Sequence, residues 1–226
     1  MSEPVSSKVG LGVLHLFCKP THDVDVAAAT AAVSSLEASD GQVVTVSMLG
    51  HKADIAFMAL HKDWWALRRL QTGLQAAGLD VVDSFVSMTE LSEYAQGIPE
   101  EMQKMRLYPD LPPEEKPAWC FYPMSKKREP RDNWFTLPFD DRKALMYEHG
   151  TSGRQFAGRI VQLITACTGV DDWEWGVTLF GQHPDDLKDV VYTMRFDEAS
   201  AIYGEFGTFY TGIVASPQDA LAALAV

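Results

Sequence analysis

Three cysteines in 226 residues, Cys18, Cys120 and Cys167, are odd in number and too far apart for a disulfide framework. Each sits in an apolar run, as a reduced buried thiol does, and a cytoplasmic setting is therefore the expectation. The chain also lacks a CxxC pair and an HExxH pair, which removes the commonest zinc signatures. No apolar run approaches the roughly 20 residues of a membrane span, so none is expected. The opening MSEPVSSKVGLGVLHLF reads as a first strand rather than a secretion signal. Basic residues are scarce, with 19 Lys and Arg against 31 Asp and Glu for a net charge of −12. Such a field repels nucleic acid and anionic lipid, so an anionic ligand needs a local cluster of bases.

What is present is material for a core: 46% of the residues are hydrophobic and 11% aromatic, which excludes disorder as the starting assumption. Periodicity reads residues 1–90 as one unit: strand (Val9 to Cys18), helix (Asp25 to Ala38), strand (Gln42 to Leu49), strand (Asp54 to Leu60), helix (Lys62 to Ala76) and strand (Asp80 to Thr89). Asp40-Gly41 and Gly50-His51-Lys52 supply turns, and Ala77-Gly78 ends the second helix. This β-α-β-β-α-β order is ferredoxin-like, an α+β class. Over 91–117 the periodicity fades into a Pro- and charge-rich connection. Residues 118–226 then repeat the order: strand (Ala118 to Met124), helix (Asp140 to Ala157), strand (Arg159 to Ala166), strand (Trp173 to Phe180), helix (Pro184 to Met194) and strand (Thr208 to Ala215). GHKADIAFMALH and GVDDWEWGVTLF align Gly50 with Gly169, a repeat of pattern rather than of letters.

Chemistry-bearing residues gather in the second unit. His149 ends the helical run DDRKALMYEHG, and Gly150 after it suits a helix end; an imidazole there is favoured by the helix dipole, and it is equally a good metal ligand on a rigid mount. Tyr122, in the strand WCFYPM beside Met124, is either a half-buried sheet tyrosine or a phenol set for proton or one-electron chemistry. SKKREPR crowds Lys126, Lys127, Arg128 and Arg131 together, a solvated turn or a seat for carboxylates, which Arg106 of KMRLYP can join. Gln162, in the apolar strand RIVQLITA, either braces the sheet or faces a polar ligand, and Ser200 has helix capping as its ordinary role.

Taken in order, RLYPDLPP, CFYPMSKKR, NWFTLPF, EHGTSGRQFAG, DDWEWGVTLF and MRFDEASAIYGEFGTFYTG resemble the motif series of the coproheme decarboxylases, the peroxide-dependent haem synthases of the chlorite dismutase-like family. The resemblance implies two ferredoxin-like units joined as a dimeric α+β barrel, and a homopentamer. It implies that His149 is the axial ligand of a porphyrin iron, that Tyr122 is the catalytic radical, that Arg106, Lys126 and Ser200 hold propionates, and that Met124 lines the pocket. Gln162 falls at the distal position, where chlorite dismutases carry an arginine. The implied substrate and redox cofactor is iron coproporphyrin III (coproheme), the co-substrate hydrogen peroxide and the product haem b. A non-catalytic haem-binding or haem-delivery protein and a chlorite dismutase-like peroxidase stay open as alternatives.

Overall fold

A computed structural model describes residues 3–21, 23–95 and 97–224. The first half runs β1 (Gly12–Pro20), α1 (Val26–Glu37), β2 (Gln42–Leu49), β3 (Ile55–His61), α2 (Trp64–Ala76) and β4 (Leu79–Thr89). Asp25 and Asp63 cap the two helices by accepting from the backbone N–H groups of Ala28 and Trp65. After α3 (Glu100–Leu107), the second half runs β5 (Ala118–Lys126), α4 (Phe139–Arg154), β6 (Ile160–Ala166), β7 (Trp175–Gly181), α5 (Pro184–Met194), the one-turn α6 (Glu198–Ala201), β8 (Gly204–Phe206), β9 (Tyr210–Val214) and α7 (Pro217–Ala222). Gly50 and Gly169, aligned by the repeat, both take the left-handed conformation, with φ of 95° and 82°.

In the first half the strands stand in the order β4-β1-β3-β2, and in the second β9-β5-β7-β6, the same arrangement position for position. All pairs are antiparallel. Two junctions, β2 with β9 and β4 with β6, close the half-sheets on each other as an eight-stranded barrel, and β8 extends the edge of β5 beyond β9. Strand alternation decides what lies inside. Val13 and Phe17 of β1 and Trp119 and Phe121 of β5 point into the barrel, where they pack with Phe85, Phe180 and Tyr210. The intervening residues point outward, Leu14 and Leu16 beneath α1, α2 and α7, and Ala118, Cys120 and Tyr122 beneath α5.

The strand and helix order agrees with the periodicity, α6, β8 and α7 are added to it, and three further features depart from it. The connection over 91–117 contains α3, and tertiary bonds hold its end and the chain after it: Thr89 Oγ1 donates to the Leu107 carbonyl, and Gln42 Nε2 donates to the Pro109 carbonyl. β1 starts at Gly12 rather than Val9, because Gly10 bends the chain at a φ of 75°. α4, expected over Asp140 to Ala157 with Gly150 suited to an interruption or an end, runs unbroken through Gly150 and Gly153 to Arg154. An interior glycine costs a helix about 1 kcal/mol, too little to stop one already propagating between two packed strands. Among the described residues no helix is long and apolar enough to cross a membrane.

Candidate functional site

Tyr122, Met124 and Lys126 occupy alternate positions of β5 and therefore share its outer face. Pairing across β7 sets two rows on that face: Tyr122 opposite Val177 and Val177 opposite Ile164, then Cys120 opposite Leu179 and Leu179 opposite Gln162. Gln162 and Ile164 are exposed there, whereas Tyr122 is buried, with Phe209 stacked on its ring at 4.3 Å and Phe206 edge-on at 5.9 Å. Burial pushes the Tyr122 hydroxyl well above the ordinary phenol value and the Cys120 thiol adds to the rise, while the Arg195 cation opposes it. The phenol is therefore neutral, and one-electron oxidation must also remove its proton.

His149 stands on α4 with its side chain 21% exposed. Its Nδ1 lies 3.1 Å from both carboxylate oxygens of Asp197 and 3.4 Å from Ser200 Oγ. Asp197 is held in turn, because it is the N-cap of α6 and accepts from the Ser200 backbone N–H at 3.0 Å. Burial would raise the Asp197 carboxyl, but the His149 hydrogen bond and charge together with Ser200 outweigh it and keep the group below the usual carboxylate range. A carboxylate on Nδ1 fixes the ring's orientation and tautomer and leaves Nε2 as the metal-facing nitrogen.

Lys126 turns inward rather than joining a solvated basic turn. Its Nζ donates to the Ala199 carbonyl at 2.6 Å and lies 4.5 Å from the centre of the Trp134 ring. Burial lowers its pKa to about 8, against the pull of Asp197 in the other direction. Of the rest of the basic cluster, Arg128 pairs with Glu174 and covers Phe135. Thus β5 carries Tyr122, Met124 and Lys126, and α6 links Lys126 through Ala199, Ser200 and Asp197 to His149. The capping role at α6 belongs to Asp197, and Ser200 is its partner. Arg106 is not brought into this group; it is exposed in the last turn of α3, which is anchored to the first half.

Two residues of the candidate site carry no signal in the sequence pattern strong enough to single them out. Asp197 lies 48 positions from His149, and no spacing rule connects them. Arg195, just after α5, covers Phe206 at 5.1 Å and supplies the positive charge felt by Tyr122; its place in MRFDEAS was the signal available.

The arrangement suits a particular kind of metal. Among the described residues no three His, Cys, Asp or Glu side chains converge on a point, so a bare ion finds no cage. One carboxylate-oriented imidazole instead serves a metal whose equatorial positions come from a planar macrocycle. The main contacts of α4 are with α5 and α6 rather than with a strand, none of its residues is buried, and its half-covered stripe of Arg142, Leu145, Met146, His149, Ser152 and Gly153 is the face on which a flat ring could sit. An open cleft of about 320 Å³ between α4 and α5, lined by Glu148, Ser152, Tyr192, Thr193, Phe196 and Asp197, shares Ser152 with that stripe and Asp197 with the His149 pair, and contains neither Tyr122 nor Gln162.

Fold and site together define an α+β barrel with a helix-borne histidine–carboxylate pair in one half. The chlorite dismutase family profile matches residues 24–215, and the chain belongs to that family. It is 40% identical over 200 residues to a protein of Natronomonas pharaonis named as a candidate heme-binding protein; the match takes in 81% of this chain but 33% of that relative's length, so the chain spans about a third of it. A heme-binding protein from Thermus thermophilus superposes with a TM-score of 0.84 at 35% identity, covering 99% of this chain and 100% of the other. A mutant chlorite dismutase from Candidatus Nitrospira defluvii shares the fold, with a TM-score of 0.76 at 17% identity over 97% of this chain and 98% of that one.

Proposed function

We propose that the chain binds iron coproporphyrin III beside α4 in its second unit, residues 118–226, and acts as a coproheme decarboxylase. Two propionates become vinyl groups as hydrogen peroxide is consumed, and haem b is the product. The observation that carries this reading is the His149–Asp197 pair set beside a sheet face on which a neutral, buried tyrosine stands next to a cation. In this reading residues 1–90 form the companion unit and 91–117 the connection, in a cytoplasmic homopentamer.

His149 would hold the iron through Nε2, with Asp197 keeping the ring in that tautomer. When bound and supplied with peroxide, the iron porphyrin provides the oxidising power. Gln162 is a neutral hydrogen-bonding group, without the positive charge that would stabilise an oxyanion leaving chlorite. Tyr122 gives up an electron and its proton, and the phenoxyl oxygen then takes a hydrogen atom from the β-carbon of the nearest propionate. Loss of CO₂ and of the second electron leaves the vinyl group. In each round one propionate, one peroxide and one proton become one vinyl, one CO₂ and two waters. Lys126 neutralises and Ser200 hydrogen-bonds carboxylates, Met124 lines the pocket, and Arg195 shares the task assigned to Arg106. Such orientation is what the protein adds to the chemistry.

The test is to load the protein with iron coproporphyrin III, add peroxide and follow the porphyrin by mass spectrometry, with Tyr122→Phe in parallel. The expected result is stepwise loss of two CO₂ equivalents in the parent and none in the variant. Normal decarboxylation by Tyr122→Phe contradicts the radical role. The second reading, a haem-binding member of the family without this reaction, is favoured by what the Thermus thermophilus protein is named for; it predicts bleaching without vinyl products in the parent.

A further inference from the structure

The barrel wall behind Tyr122 carries a second tyrosine that the reaction above leaves unused. Tyr210 opens β9 directly opposite Phe121, the residue before Tyr122. The two phenols stand on opposite faces of the sheet, Tyr122 in the outer cluster and Tyr210 inside the barrel. Neighbouring strands stand about 4.8 Å apart, so only the thickness of the barrel wall separates the two rings. Each ring has an aromatic neighbour on its own face of the wall. Phe209, adjacent to Tyr210 in the chain, stacks on Tyr122 at 4.3 Å, and Tyr210 itself stacks on Phe17 at 3.7 Å.

The environments of the two hydroxyls differ. Among the described residues no hydrogen bond acts on the Tyr122 phenol. The Tyr210 hydroxyl donates to the Asp83 carboxylate, which comes from β4, a strand that is not a sheet neighbour of β9. Tyr210 is 6% exposed, whereas Asp83 is exposed, so the pair spans from the barrel interior to solvent. Lys52 closes the same end, with its Nζ 5.6 Å from the centre of the Tyr210 ring and donating to the Phe209 carbonyl. A phenol is oxidised far more readily when a base takes its proton in the same event, since the alternative is a strongly acidic radical cation. Asp83 is such a base, already hydrogen-bonded.

We propose that Tyr210 and Asp83 form a second redox site, through which an oxidising equivalent left unused at Tyr122 crosses the barrel wall to solvent. The proposal rests on the radical role given to Tyr122 above, with hydrogen peroxide as the oxidant. One electron passes from Tyr210 to the Tyr122 phenoxyl, the Tyr210 proton moves along the hydrogen bond to Asp83, and Tyr122 recovers from water the proton it had released. The Tyr210 radical is then quenched where Asp83 meets solvent, by a one-electron reductant such as a thiol or an enediol. The exit draws the radical off the porphyrin face whenever no propionate is in reach.

The experiment treats the coproheme-loaded protein with peroxide, records tyrosyl radicals by electron paramagnetic resonance after ring-deuteration of tyrosine, and maps spin-trap adducts by peptide mass spectrometry. Parent protein, Tyr210→Phe, Asp83→Asn and Tyr122→Phe are compared. The expected result is adducts at both Tyr122 and Tyr210 in the parent, loss of the Tyr210 adduct in Asp83→Asn with the Tyr122 adduct kept, and a longer-lived Tyr122 signal in Tyr210→Phe. Adducts confined to Tyr122 in the parent, or a Tyr210 adduct undiminished in Asp83→Asn, overturn the exit and leave the radical role of Tyr122 standing. A Tyr210 adduct undiminished in Tyr122→Phe overturns the relay, and a parent without any tyrosyl radical overturns both assignments.

Discussion

In the first half of the barrel, α1 presses Ala29, Val33 and Leu36 onto its sheet and α2 presses Ala66, Leu67, Leu70 and Leu74. In the second half, α4 holds the position equivalent to α1, runs longer, and buries none of its residues. The two halves share strand order, hairpin glycines and antiparallel closure, so topology cannot be the source of the difference. Side chains are. The first half spends its apolar surface on packing, and the second withholds α4 from the sheet and equips it with a carboxylate-oriented histidine. The space that makes the second half a worse core makes it a candidate binding site.

The contrast is broken most sharply by matched truncations. Leu70→Ala, at a residue 2% exposed, is expected to cost about 2–5 kcal/mol, whereas Met146→Ala on the half-covered stripe of α4 is expected to cost under about 1 kcal/mol. Urea unfolding of the ligand-free protein measures both, and equal losses would mean that α4 packs as α1 and α2 do. A smaller effect is expected at the site itself. Asp197→Asn removes the carboxylate that orients His149, and porphyrin affinity should fall about 10–100-fold by optical titration. The smallest effects come from glycines. A Cβ on Gly73 of α2 would meet the Ala32 Cβ at 2.8 Å, while one on Gly150 of α4 would meet only Arg154 Nη1 at 3.8 Å. Thermal unfolding should therefore show Gly73→Ala destabilised by about 1 kcal/mol and Gly150→Ala stabilised by up to about 1 kcal/mol.

Much of the fold was legible because it rests on short-range pattern. The alternation in β1 and β5 and the shared positions of Gly50 and Gly169 are visible in neighbouring letters. α3 was not, because EEMQKMRL buries only Leu107 and is held by side-chain bonds from Thr89 and Gln42 at a distance in the chain. Closure through β2–β9 and β4–β6 is likewise a matter of pairing between halves, for which one sequence carries no local sign. At the site, Tyr122, Met124 and Lys126 share a face by the two-residue period of a strand. The Asp197 partner of His149 arises only when α6 folds back on α4. Gly150 suited an interruption or an end by local propensity, yet α4 runs through it to Arg154, close to the helix bounds that periodicity gave.

The central claim is that α4 carries the axial ligand of a porphyrin iron, and optical titration with iron coproporphyrin III tests it most directly. The account predicts a saturable, one-to-one Soret shift with a histidine-ligated spectrum in the parent protein and loss of that ligation in His149→Ala. No shift in the parent, or the same ligated spectrum in His149→Ala, would contradict it.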